Sequence, residues 1–167
     1  MELIVDTREH ASEWERIKAQ FDELGIKYWR SKLFVGDYQS LDNARLVIDR
    51  KKDLQEICGN VCQQHERFRD ELLRAQEAGI KIIVLCEHGS DITCLEDIKN
   101  WKNPRKEGRF RTINGKKVWY QISPNATSGE QLYKMLKTMQ EKYGVTFEFC
   151  TKDKTGKRIA ELLASAE

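Results

Sequence analysis

The sequence predicts an α/β fold in which a central, mostly parallel sheet is flanked by helices and carries a basic β-hairpin as an insert. Three observations point to it. Strand-like and helix-like segments alternate along the chain, the order expected where helices cover a parallel sheet. Ile82, Ile83, Val84 and Leu85 follow one another within Lys81–Cys86, the pattern of a strand buried on both faces. Asn114-Gly115 lies between Arg109–Ile113 and Lys116–Tyr120 and is the clearest tight-turn signature in the chain.

Taken in order, residues 3–6 read as a short buried strand. A helix from about Ser12 sets Trp14, Ile17, Phe21 and Leu24 at spacings of three and four, and Gly25 ends it. Strand-like Tyr28–Val35 leads into a Gly36-Asp37 turn, and Leu46–Arg50 is the next strand. Asp53–Cys62 and Glu66–Ala78 read as helix, with a break expected near Gly59-Asn60 and Phe68, Leu72 and Ala75 facing the core. A short acidic helix is expected around Cys94–Trp101. Ser128 is an N-cap with Gln131 at the capping-box position, opening a helix with Leu132, Leu136, Met139 and Tyr143 on one side. Strand Val145–Cys150 and helix Lys154–Ala164 complete the alternation. The 167 residues form one domain, residues 1–167, with an insert at about 100–127.

Composition narrows the function classes. The longest apolar stretch, Ile82 to Cys86, is too short for a membrane span, and no secretory signal is expected. Five cysteines, Cys58, Cys62, Cys86, Cys94 and Cys150, lack paired zinc-knuckle spacing and read as reduced thiols of a cytoplasmic protein. His10, His65 and His88 are likewise not at metal-ligand spacing. A net charge of +2 does not by itself argue for nucleic acid. Its distribution is more informative: from Lys99 to Trp119 there are eight basic residues (Lys99, Lys102, Arg105, Lys106, Arg109, Arg111, Lys116, Lys117) against one acidic, Glu107. Interleaved with Trp101, Phe110, Trp119 and Tyr120, they are candidates for contacting phosphates and stacking on bases; a solvated hairpin packed on its own aromatics is the alternative.

Three acidic clusters carry the chemistry: Ile4-Val5-Asp6-Thr7-Arg8-Glu9, Val35-Gly36-Asp37-Tyr38, and Leu46-Val47-Ile48-Asp49-Arg50-Lys51-Lys52-Asp53. In a strand, Asp49 and Lys51 share one face while Ile48 and Arg50 take the other. A carboxylate that holds a hard cation beside an ammonium that neutralises charge on phosphorus is what phosphodiester hydrolysis needs. Carboxylates brought together raise one another's pKa, and a divalent cation relieves that cost.

The order of these clusters resembles the XPF, Hef and related structure-selective DNA endonucleases, whose hallmark is a Gly-Asp followed by Glu-Arg-Lys and a further Asp. The helix-like His65–Leu72, the strand Ile82–Glu87 and the final strand and helix between Phe147 and Leu163 extend the resemblance over nearly the whole chain except the insert. It implies an XPF-like, restriction-endonuclease-type nuclease fold and a Mg²⁺- or Mn²⁺-dependent endodeoxyribonuclease acting on branched or otherwise structured DNA, leaving a 5′-phosphate and a 3′-hydroxyl. The implied catalytic set is Asp6, Arg8, Glu9, Asp37, Asp49, Arg50, Lys51 and Asp53, with Asp6, Asp37 and Asp49 at the metal. Arg105, Lys106, Arg109, Arg111, Lys116, Lys117 and Trp119 are the expected DNA contacts. Arg50 points away from Asp49 unless the strand bends, which leaves a structural ion pair open to it, and Glu87 is a candidate for the site rim.

Two departures stand out. The family's Glu is Asp49 here, one methylene shorter. The family's last Asp falls at Gln55 by strict spacing, and Asp53 is aligned to it only through a two-residue shortening. Because the family also contains inactive partners, a catalytically weak DNA-binding subunit is the competing expectation. Neither a tandem helix-hairpin-helix module nor a helicase domain is expected within these 167 residues. Junction selectivity is therefore expected from the hairpin, a homodimer paired through Leu132–Leu163, or a targeting partner protein. Its size suits a phage, prophage or other mobile-element nuclease in a bacterial cytoplasm.

Overall fold

The computed structural model describes residues 1–165. Six strands form one sheet: β1 (Glu2–Val5), β2 (Lys27–Arg30), β3 (Tyr38–Ser40), β4 (Leu46–Lys51), β5 (Lys81–Glu87) and, late in the chain, Thr146–Cys150. A separate two-stranded hairpin, β6 (Arg109–Ile113) and β7 (Lys116–Tyr120), intervenes, so the last sheet strand is β8. The order is β2-β1-β3-β4-β5-β8. Only β3 runs against its neighbours; the β1–β2, β4–β5 and β5–β8 pairings are parallel.

Helices cover both faces. On one side α1 (Ala11–Glu23) and α5 (Thr155–Ala164) pack Trp14, Ile17, Phe21, Ile159 and Leu163 onto Leu3, Ile48 and Leu85. On the other, α2 (Leu54–Cys62), α3 (His65–Glu77) and α4 (Gly129–Tyr143) pack Leu54, Phe68, Leu72, Leu132 and Leu136 onto Val47, Val84 and Phe147. The alternation in β4 decides which side each residue serves. The apolar stripes of α4 and α5 contribute Leu132, Leu136, Ile159, Leu162 and Leu163 to the chain's own core. Among the described residues no helix is long and apolar enough to cross a membrane.

Several local readings are refined. The Ser128–Gln131 capping box forms in both directions, at 3.2 and 2.9 Å. Leu24 is exposed, because α1 ends before it and the chain reverses at Gly25, with Ile26 N–H donating to the Phe21 carbonyl. The break expected at Gly59-Asn60 falls instead at Gln63-Gln64: Val61, 5% exposed, anchors one more turn of α2 in the core. Strand β2 stops at Arg30 rather than Val35, and the following segment turns to the site described below.

The α1 side also buries charge. Arg50 donates to Glu9 at 2.7 Å and to Glu87 at 3.2 Å, with side-chain exposures of 7%, 4% and 0%. Glu87 is further held by Arg16 and by the Thr155 hydroxyl, both at 2.6 Å. Glu87 therefore belongs to this network and does not form the site rim. Burial opposes the Glu9 charge, but Arg50 and the Tyr38 hydroxyl outweigh it and hold its carboxyl below the ordinary value. A depressed folded pKa contributes stability that is present above the unfolded value and lost as pH falls through the folded one. Arg50→Met should leave the buried Glu9 carboxylate without its cationic partner, while Glu87 keeps Arg16, and cost about 3–5 kcal/mol at pH 7. Urea denaturation checks this, and the deficit should shrink towards pH 4 as Glu9, deprived of the guanidinium, accepts a proton.

Candidate active site

The antiparallel insertion of β3 builds the site. Val5 pairs with Tyr38, and Tyr38 with Ile48, so one step along the register aligns Asp6, Asp37 and Asp49 across three neighbouring strands. Directly opposed residues of an antiparallel pair share a face. Asp6 N–H donates to the Asp37 carbonyl at 2.8 Å, and Asp37 N–H to the Ile48 carbonyl at 2.8 Å. Gly36 makes the approach feasible. It has φ +71°, and a Cβ there would lie 3.1 Å from both the Ile48 carbonyl oxygen and Val47 Cγ2.

Of the three carboxylates expected at a metal, Asp37 and Asp49 come together and Asp6 is otherwise engaged. Asp6 accepts four N–H bonds: Oδ1 from Arg8 N and Nε at 2.7 and 2.8 Å, Oδ2 from Arg8 Nη2 and Leu33 N at 2.8 and 2.7 Å. Four donors use the lone pairs a carboxylate has. Asp6 thus fixes Arg8 and the segment after β2 rather than presenting an open ligand. Among the described residues no group of three or more Asp, Glu, His or Cys side chains stands close enough to hold a metal by itself.

Asp37 and Asp49 form a charge-rich pair. Lys51 Nζ donates to Asp49 Oδ1 at 2.8 Å, as their shared face requires, while Asp49 Oδ2 is buried with no hydrogen-bond partner. Asp37 Oδ2 accepts from the Arg50 main-chain N–H at 2.7 Å. Burial, then the neighbouring Asp49 and Glu9, push the Asp37 carboxyl well above the ordinary carboxylate range despite the pull of Lys51. Burial also disfavours the Lys51 charge, but Asp49 and Asp37 together raise its pKa. The unpartnered Asp49 oxygen beside a carboxylate whose charge is disfavoured is an all-oxygen environment whose chemistry fits a hard divalent cation.

Other expected site residues have separate positions. Glu9 and the Arg50 side chain lie in the buried network on the opposite face. Asp53 caps α2, accepting from Glu56 N–H at 2.8 Å, because β4 ends there and the helix donors need a partner. Gln55, at the strict family position, donates to Asn103 Oδ1 at 2.5 Å. Glu71 was not anticipated. Its Oε1 accepts from Gly36 N–H at 3.4 Å, and with Lys51, Glu56, Asn60 and Arg67 it lines a polar cleft of about 170 Å³. Its signal was its place beside the Phe68–Leu72 core stripe of α3.

The ERCC4 domain family model matches residues 5–162. The chain belongs to the ERCC4 domain family. Among the solved structures that share its fold are two of XPF from Aeropyrum pernix. One matches with TM-score 0.64 at 16% identity over 99% of this chain and 65% of that one. The other, a complex with DNA, matches with TM-score 0.63 at 17% identity over 99% and 64%. At these identities the likeness is one of fold: the chain has the XPF nuclease fold and spans just under two thirds of those chains. No curated protein sequence matches it.

In this ERCC4 domain the β6–β7 hairpin rises from a neck in which Asn103 Nδ2 donates to the Thr127 carbonyl at 2.8 Å and Ser123 N–H to the Arg105 carbonyl at 2.9 Å. Every residue of both strands is exposed. The expected DNA contacts divide by register. Arg109, Arg111 and Lys116 share a face with Tyr120, over which Arg111 lies at 4.3 Å, whereas Lys117 shares the other with Phe110 and Trp119.

Asp37 contributes a pH dependence of stability opposite in sign to that of Glu9. A raised folded pKa means the folded state holds the proton more tightly, so stability falls as pH rises from about 3.8 through the raised value. Asp37→Asn keeps the acceptor for Arg50 N–H and should stabilise the EDTA-treated protein at pH 7. Mg²⁺ or Mn²⁺ at ten times its dissociation constant should add about 1.4 kcal/mol to the parent and almost nothing to the variant. Thermal melting with and without metal reads both.

Proposed function

We propose that the chain is a divalent-metal-dependent endodeoxyribonuclease acting on branched or otherwise structured DNA. The observation that carries this is the buried, partnerless Asp49 Oδ2 beside Asp37. Asp37 and Asp49 would hold one Mg²⁺ or Mn²⁺, leaving its other positions to water and phosphate oxygens, as Mg²⁺ prefers. When bound, the cation supplies Lewis-acid stabilisation of charge developing on the scissile phosphate. Lys51, fixed by Asp49, places an ammonium where it orients the attacking water or neutralises that charge. Arg8, whose side chain is 59% exposed although Asp6 fixes it, contacts a phosphate oxygen. Asp6 positions Arg8. The products would be a 5′-phosphate and a 3′-hydroxyl. DNA is the substrate this reading takes from the family and from the DNA complex of the A. pernix protein, supported by the basic hairpin.

One observation favours the competing reading, a catalytically weak DNA-binding subunit. Asp53 serves as a helix cap and Gln55 as part of the hairpin neck, so the family's last carboxylate has no counterpart shown at the pair. Cleavage of labelled flap, fork, four-way, single-stranded and duplex DNA separates the two. Asp37→Asn and Asp49→Ala should each lower cleavage by about a thousand-fold while DNA binding stays within a few-fold of the parent. A variant keeping a tenth of the activity refutes the ligand assignment. A parent that binds DNA without cutting it supports the competing reading.

The hairpin gives a separate expectation. Neutralising Arg109, Arg111 and Lys116 together should weaken binding to every DNA structure and lower the slope of log K against log salt by about 0.9 per lost phosphate contact on duplex. Lys117→Gln alone should change that slope less. Titration of binding against salt measures both, and an unaltered slope in the triple variant makes the hairpin a structural or protein-contacting element.

A further inference from the structure

Phe34 is 63% exposed although its chain neighbours are buried, Leu33 at 7% and Val35 at 1%. A single exposed apolar side chain is ordinary. What distinguishes this one is the backbone that presents it. On one side Leu33 is held through its N–H by Asp6 Oδ2 at 2.7 Å and through its carbonyl by Arg8 Nη2 at 3.2 Å. On the other, Gly36 is pressed against β4 and Asp37 N–H is bonded to the Ile48 carbonyl. The residue is therefore fixed next to the carbonyl that anchors Arg8 and three positions before Asp37. A two-torsion aromatic on a fixed backbone loses little conformational freedom on binding.

The neighbours define what such a ring would meet. Arg8 offers a guanidinium to a phosphate, and a nucleotide brings a base with its phosphate. The faces of a base inside duplex DNA are covered by its neighbours, so only an unpaired or extruded base can receive the ring. The hairpin aromatics are as exposed, Phe110 at 66% and Trp119 at 54%, but each already has a ring partner: they meet edge to face at 5.0 Å, and the Trp119 ring lies against Gly108. We propose that Phe34 stacks on an unpaired base adjoining the phosphate held by Arg8, and so selects DNA with a single-stranded nucleotide beside the scissile bond. This rests on the nuclease reading above and names the substrate class for that site.

A protein–base double-mutant cycle tests it. Binding is measured by fluorescence anisotropy, without divalent metal, to a forked DNA in which the nucleotides around the branch are made abasic one at a time. Cleavage of the same substrates is followed with Mn²⁺. The parent should lose affinity by about five- to a hundred-fold at one abasic position. Phe34→Ala should lose the same factor on the intact fork and nothing further at that position, and Phe34→Trp should restore both behaviours. Phe34→Leu, which keeps apolar bulk without an aromatic face, should behave as Phe34→Ala and guards against a variant that folds poorly. If Phe34→Ala and Phe34→Leu bind the intact fork as the parent does, or keep the full abasic penalty, the assignment is wrong. A parent that binds and cuts DNA while the cycle is additive overturns only Phe34. A parent that neither binds nor cuts any DNA overturns the nuclease reading and this inference with it.

Discussion

The site depends on the antiparallel placement of β3 between two strands that otherwise belong to a parallel sheet. Had β1 and β4 paired directly, Asp6 and Asp49 would lack the residue between them. Inserting β3 brings Asp37 opposite Asp49, and like charges directly opposed in a sheet destabilise it. The fold accepts that cost at one place and compensates nearby. Lys51 answers one oxygen of Asp49, the Arg50 main chain answers Asp37, and the remaining oxygen of Asp49 is left bare. In the proposed reading, the local instability is what a bound cation would relieve.

Alternation in β4 lets three consecutive residues serve two purposes. Asp49 and Lys51 face the α2–α3 side, while the Arg50 side chain crosses to the α1–α5 side and binds Glu9 and Glu87. Yet the Arg50 main-chain N–H still meets Asp37. A shift of β4 towards the site would disturb the buried ion network as well as the ladder pairings with β3 and β5, so both oppose a change in the register on which the carboxylate pair depends.

Much of the architecture was legible because it rests on short-range rules. The helical spacing of Trp14, Ile17 and Phe21, the Ser128–Gln131 capping box, the Asn114-Gly115 turn and the run Ile82–Leu85 each act within a few residues. Alternation alone also paired Asp49 with Lys51 and sent Arg50 elsewhere. What the sequence could not show was competition for the same group. The motif makes Asp6 look like Asp37 and Asp49, but only the returning Leu33 N–H and the turned-back Arg8 reveal that its lone pairs are taken. Asp53 looked like a fourth acid, yet a helix starts on it and claims the carboxylate. Glu71 and Phe34 gained meaning only from segments folded beside them.

The residues after Lys51 show how far the site is tied to the insert. Asp53 caps α2, and two residues later Gln55 reaches Asn103, a 2% exposed amide that also holds the Thr127 carbonyl and the Arg105 N–H. Strand β4, the start of α2 and both sides of the hairpin neck are therefore joined through one fully used side chain. A buried amide with all these bonds is costly to leave half satisfied, so the neck has little freedom to tilt against α2. The exposed β6–β7 strands consequently project from a base joined to the start of α2. A carboxylate at position 55 would lose the donor that Asn103 Oδ1 accepts, so the family's final acid and this hairpin anchor compete for one place in the chain.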